Sequence, residues 1–281
     1  MFLSSVALYL ITRKSTLLKT PTVWNNLMNF FLPLLVYLVI VAGKGEIHWQ
    51  FEPQVWGVLI FSAIFFSYLG QLISFKSIEV APNIGFSLVI SKSYVVLTTL
   101  LAVVFFKANL TWLAILAIFA IIGFSALISI DPNAKPNPNV QPRWFPLALV
   151  SFFCWGFLAM SSKYLLNNGM PVLERLIFSM SIVSLIIGGD IWRGKHNLNA
   201  LSKIQILYLL GMGLTAASFN YFTQLAFTTA PNIGYVNAIN TASIAIVTIL
   251  SAVFFKDELT WRKFIGVLGV CGGLVLLVLG S

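Results

Sequence analysis

One lysine stands where a lysine is costly. Lys92 lies well inside a long apolar run, about 11 residues or ~16 Å past Ala81 at a helical rise of 1.5 Å per residue. A charge at a bilayer centre costs at least ~2.5–3.5 kcal/mol, so such groups usually face an internal cavity. There an ammonium pairs with a substrate carboxylate or phosphate, or exchanges a proton from a depressed pKa. The alternative is a structural charge hydrogen-bonded to helix carbonyls. Ser87, Ser91, Tyr94 and Thr98 follow at i, i+4, i+7 and i+11, one face of the same helix. Asn237, Asn240, Thr241 and Thr248 form a matching stripe on a later run. Gln71 and Asn220 are two further amides inside apolar runs, with Tyr68, Tyr221 and Gln224 near them. Trp155 is mid-helix, too deep for an interfacial ring, and suits a pocket wall or stacking on a cation. The candidate substrate site is therefore Lys92, Ser91, Tyr94, Gln71, Trp155, Asn220, Asn237, Asn240 and Thr241. Hydrogen bonding between helices is the competing use for the hydroxyls and amides.

Other chemistries find little support. The two histidines, His48 and His196, fall in loops of opposite halves. No Cys/His cluster has metal spacing. Ser91 and Lys92 are adjacent, hence about 100° apart on a helix, a poor geometry for a nucleophile and its base. Cys154 and Cys271 sit in apolar runs and read as packing residues. These features point away from an enzyme and call for no cofactor or metal. The deepest acid is Glu174, beside Arg175 near the start of a helix; the pair is expected at the membrane surface. If protons drive the protein, Lys92 or Glu174 must carry them; otherwise it is a facilitator.

The elements that position these residues follow from composition. The chain has 281 residues, 59% apolar and 9% charged. Its mean hydropathy is +0.93. No soluble domain has so little charge to cover its surface. At about 20 apolar residues per span, ten helices fit. The runs are 1–18, 22–42, 54–76, 81–106, 110–130, 144–167, 171–191, 204–229, 231–255 and 259–280. The expected fold class is all-α, a multi-pass membrane protein of the inner or plasma membrane. The first run is short and ends at Arg13 and Lys14, the reverse of the order in a cleavable signal. The net charge of +9 contains no run of Lys and Arg, so it reads as topology and lipid contact rather than nucleic-acid binding.

The chain also repeats itself. Ala81-Pro82-Asn83-Ile84-Gly85 returns as Ala230-Pro231-Asn232-Ile233-Gly234, and Phe105-Phe106-Lys107 as Phe254-Phe255-Lys256. The offset is 230 − 81 = 149 in both cases, and about half of the positions from Ala81 to Trp112 match their copies. The same offset pairs Lys92 with Thr241, Ser91 with Asn240, and Gln71 with Asn220. The Pro- and Asn-rich stretch 131–142 divides the chain into repeats 1–130 and 143–281. Five helices per repeat is an odd number, so the second copy must enter from the opposite side. Charge agrees: Lys107 stands alone in its loop, whereas the equivalent loop carries Lys256, Arg262 and Lys263. Inverted repeats of this kind mark secondary transporters, with the substrate site at the repeat interface. Taken literally, the charge bias puts both termini outside the cytoplasm. Gly269 and Gly273 form a small-xxx-small pair, which suits helix packing inside one chain or between two, and leaves a homodimer open.

Two five-helix halves, the Ala-Pro helix starts and the Phe-Phe-Lys-x-x-Leu-Thr-Trp turns resemble the drug/metabolite transporter superfamily, and most of all its EamA-like ten-helix branch. Lys256-Asp257-Glu258-Leu259-Thr260 keeps the branch's Glu, while the first half departs with Ala108-Asn109. Trp155-Gly156 matches the branch too, whereas its offset partner Val6-Ala7 does not. The resemblance implies cytoplasmic termini, against the charge count. It implies a transporter and leaves the substrate open, because the superfamily moves amino acids, cations, sugar nucleotides and other metabolites. Lys92 selects a small polar metabolite bearing a carboxylate, moved by alternating access. An amino acid exporter comes first, with an organic-phosphate, nucleotide-sugar or cationic-drug carrier as alternatives. A non-transporting membrane scaffold is the alternative of another class.

Overall fold

The computed structural model describes residues 1–43, 47–80, 90–107, 109–129, 143–255 and 260–279. The linker 131–142, the repeated start at 81–85, Ser87 and the turn at 256–259 lie outside the described residues. Among the described residues every regular element is helical: α1 Phe2–Leu17, α2 Thr22–Ala42, α3 Pro53–Phe61, a π-helical stretch Ser62–Tyr68, α4 Leu69–Val80, α5 Tyr94–Phe106, α6 Trp112–Ser129, α7 Trp144–Asn167, α8 Val172–Arg193, a 3-10 turn Leu198–Ala200, α9 Lys203–Thr229, α10 Ile233–Phe255 and α11 Trp261–Leu279. A bilayer leaves no water for stray backbone groups, and helices satisfy their own. Six helical runs are long and apolar enough to cross a membrane: Thr22–Ala42, Pro53–Ser77, Trp144–Asn167, Val172–Arg193, Lys203–Thr229 and Ile233–Phe255. Ile90–Phe106, Trp112–Leu127 and Phe264–Leu277 are apolar and shorter. Together with α1 these fall on the ten expected runs, and the protein is a multi-pass membrane protein. Trp112 and Trp261 open their helices and Trp192 nearly closes α8; all three are exposed, as headgroup-level rings should be.

The chain divides into two compact units, each drawing on both halves of the sequence. The first holds residues 1–68 and 161–228, the second residues 69–160 and 229–281. In the first unit α2 packs on α8. Val23, Leu27 and Phe30 from the start of α2 share a core with Val183, Ile187 and Ile191 from the end of α8. Leu34, Tyr37 and Val41 cluster instead with Leu176, Ile177 and Met180. The two helices therefore run antiparallel. The third run is not a plain helix as expected. Its π stretch rests on α8, with Ala63 fully buried beside Val183 and Ile187, and Tyr68 donating a hydrogen bond to Asp190. The wider turn keeps Ala63 and Tyr68 on the α8 side.

In the second unit α6 and α11 form the tightest helix pair. Ala114, Ala117, Ile118 and Ile121 meet Leu277 there, and Tyr235 and Ala238 of α10 join the same core. A Cβ on Gly273 would lie 2.7 Å from Ile121 Cγ1 and 3.2 Å from Ile121 N. A Cβ on Gly269 would enter the Phe124 ring. The glycine pair thus serves packing within the chain.

Candidate functional site

Lys92 sits near the start of the apolar helix Ile90–Phe106. The helix tightens at Ser93, which keeps right-handed helical dihedrals (φ −62°, ψ −5°). The Ser93 N–H reaches the Ile90 carbonyl at 3.2 Å, and the Val96 N–H reaches Ser93 O at 2.9 Å, so the hydrogen bonding runs through. Lys92 is half-buried, while Ser91 and Tyr94 beside it are buried, at 2% and 7% exposure.

The expected pairing of the two repeated helices is present. α5 packs on α10 inside the second unit. Asn237 donates through Nδ2 to Thr98 Oγ1 at 3.1 Å, and Tyr94 donates to Asn237 Oδ1 at 3.5 Å. The first bond is the stronger, since 3.5 Å is long for a hydroxyl donor. Gly234 makes the approach possible, because a Cβ there would lie 2.8 Å from Thr99 Cα. An Asx turn starts α10, with Asn232 Oδ1 accepting from the Gly234 N–H at 2.8 Å. Asn240 and Thr241 are buried one turn on, and the Thr241 hydroxyl donates to the Asn237 carbonyl at 2.9 Å. Asn237→Leu keeps the branched shape of the side chain and removes both α5 bonds. A loss of about 1–3 kcal/mol is expected, read as a lower Tm. An unchanged Tm would remove this pair from the forces holding α5 to α10.

Two more candidates lie on helices that reach the same unit. A Cβ on Gly156 of α7 would come 2.6 Å from Leu97 Cδ2 of α5, so Trp155 rides on the helix packed against α5. A Cβ on Gly70 of α4 would come 2.8 Å from Cys154 Cβ of α7, which puts Gln71 beside that crossing. Trp155 and Gln71 are both half-buried. Eight of the nine candidates thus belong to the second unit. Asn220 does not: it lies on α9 in the first unit, and its amide donates to its own helix at Ala216 O, 2.8 Å.

The first unit holds a second polar cluster. Glu174 and Arg175 start α8 and are buried within the protein, at 7% and 5% exposure. The segment before α3 lies beside Glu174: His48 Nδ1 is 3.5 Å from Glu174 Oε1, and the Trp49 ring meets Phe178 at a tilt with centroids 4.8 Å apart. Arg175 donates from Nη2 to Ser162 Oγ of α7. An Arg inside a predicted span was the available signal. Lys163, next to Ser162, donates to the Phe227 carbonyl at 2.6 Å and so caps the end of α9.

Known proteins resemble both sequence and fold. Residues 142–279 match the EamA-like transporter family. An uncharacterized transporter of Archaeoglobus fulgidus is 26% identical over 226 residues, covering 79% of this chain and 76% of its own. A solved crystal structure superposes with a TM-score of 0.79 at 13% identity, over 99% of this chain and 94% of its own; it speaks for the fold alone.

Proposed function

We propose that this protein, an EamA-like membrane transporter, exports small metabolites bearing a carboxylate, amino acids first, from a pocket centred on Lys92. The observation that carries the reading is a half-buried lysine on the apolar helix Ile90–Phe106, whose Thr98 bonds Asn237 of α10. The cation favours an anion. Asn237, Asn240, Thr241 and Gln71 would meet the remaining polar groups, and Trp155 and Tyr94 would wall the pocket. The repeats would be 1–130 and 143–281, inverted about the linker 131–142 and rocking in alternating access. The antiparallel packing of α2 and α8, which are offset partners, supports that inversion.

A thermal-shift screen of the purified protein tests the substrate class. A ligand at 100 times its Kd adds about 2.7 kcal/mol to the folded state. Amino acids or organic acids are expected to raise Tm, and organic cations are not. Stabilisation by organic cations alone would sink the carboxylate reading and favour drug export.

A further inference from the structure

We propose that Arg175 is the core of a second anion-binding site, on α8 of the first unit, for a carboxylate or phosphate group. The Arg175 residue is 5% exposed. Its Nη2 donates to Ser162 Oγ, while its Nε has no partner. The neighbouring Tyr37 hydroxyl feels the guanidinium charge but donates to the Ala217 carbonyl at 2.6 Å. Among the described residues no carboxylate pairs with Arg175. Glu174 projects about 100° away along the helix and faces His48 at 3.5 Å. A guanidinium stays protonated in any protein. Burying one with a single hydroxyl as partner is unfavourable unless an anion completes it. Its planar fork suits two parallel bonds to a carboxylate or phosphate.

A second unmatched group points the same way. Ala217, Tyr221 and Gln224 lie at i, i+4 and i+7, one face of α9, and the first two neighbour Tyr37. Gln224 Oε1 on that face is also buried without a partner. The site goes beyond the Lys92 reading and stands without it.

The test uses the full chain in detergent, as wild type, Arg175→Gln, Arg175→Lys and Lys92→Ala. One arm adds inorganic phosphate, succinate or glutamate against chloride of equal ionic strength. The other adds phosphatidylcholine vesicles with or without phosphatidylglycerol. At least one anion is expected to raise the wild-type Tm by several degrees at high occupancy. Arg175→Gln should lose the rise, and Arg175→Lys should keep only part of it. Without ligand, Arg175→Gln should melt no lower than wild type, because it removes an uncompensated buried charge. A rise from soluble anions identifies a free metabolite; a rise confined to phosphatidylglycerol identifies a lipid headgroup. Either supports the site. No rise in both arms, or the same rise in Arg175→Gln, overturns it. If Arg175→Gln does not fold, a full rise in Arg175→Lys overturns it. A response lost in Lys92→Ala and kept in Arg175→Gln sinks this site and leaves the transport reading intact.

Discussion

Lys92→Ala is expected to lower transport of the carboxylate substrate at least about thirtyfold. Removing one partner of a buried, hydrogen-bonded charge pair costs about 2–5 kcal/mol, and each 1.4 kcal/mol is tenfold. The half-burial of Lys92 on an apolar helix limits the water that competes for its side chain. Lys92→Arg keeps the charge with a bulkier, planar head and should retain part of the flux. Lys92→Met keeps the stem without the charge. It should fold at least as well as wild type and transport as poorly as the alanine variant. That split separates binding from stability. Proteoliposome flux at matched protein content measures it, and wild-type flux in Lys92→Met would end the role proposed for the lysine.

Much of the fold is legible without coordinates. Apolar run length places the spans, because a bilayer fixes the length of a helix that crosses it. The 149-residue offset pairs α5 with α10, and the Asn237–Thr98 bond shows why it works. Polar stripes on two copied helices find each other because each lacks another partner in lipid. The π stretch escapes sequence reading, since one extra residue in a turn leaves an apolar run unchanged. Its cause is a tertiary contact with α8. The burial of Arg175 escapes for a similar reason. Position along a helix gives depth in the membrane, but which neighbours enclose a side chain does not follow from it. Ser162 of α7 and Tyr37 of α2 lie beside Arg175. Asn220 shows the limit of offset arithmetic. Its partner Gln71 lies at a helix crossing, while Asn220 bonds its own backbone.

Gly273→Leu is expected to unfold or grossly destabilise the protein, whereas Gly272→Leu, one residue away, should not. The two glycines share a helix and a composition, so the contrast isolates packing. Gly272 is exposed, and a Cβ there meets nothing within 4 Å. Leucine is a better helix former than glycine by close to 1 kcal/mol, so this change should be neutral or stabilising. Gly273 is buried, and its Cβ would lie 3.2 Å from Ile121 N and 3.3 Å from Ala117 O. Backbone cannot rotate aside as a side chain can. α6 and α11 must separate, and the core of Ala114, Ile118, Ile121 and Leu277 opens with them. The cost should reach about 3 kcal/mol or more, the upper part of the range for overpacked cores. Tyr235 and Ala238 of α10 belong to that core, one residue or one half-turn from Asn237. A Gly273→Ala protein that survives should therefore lose flux together with stability, because the wedge shifts the helix that carries the candidate site. Fluorescence-detected size exclusion and Tm distinguish the leucine variants directly. Equal behaviour of Gly272→Leu and Gly273→Leu would show that α6 and α11 are not packed through this glycine.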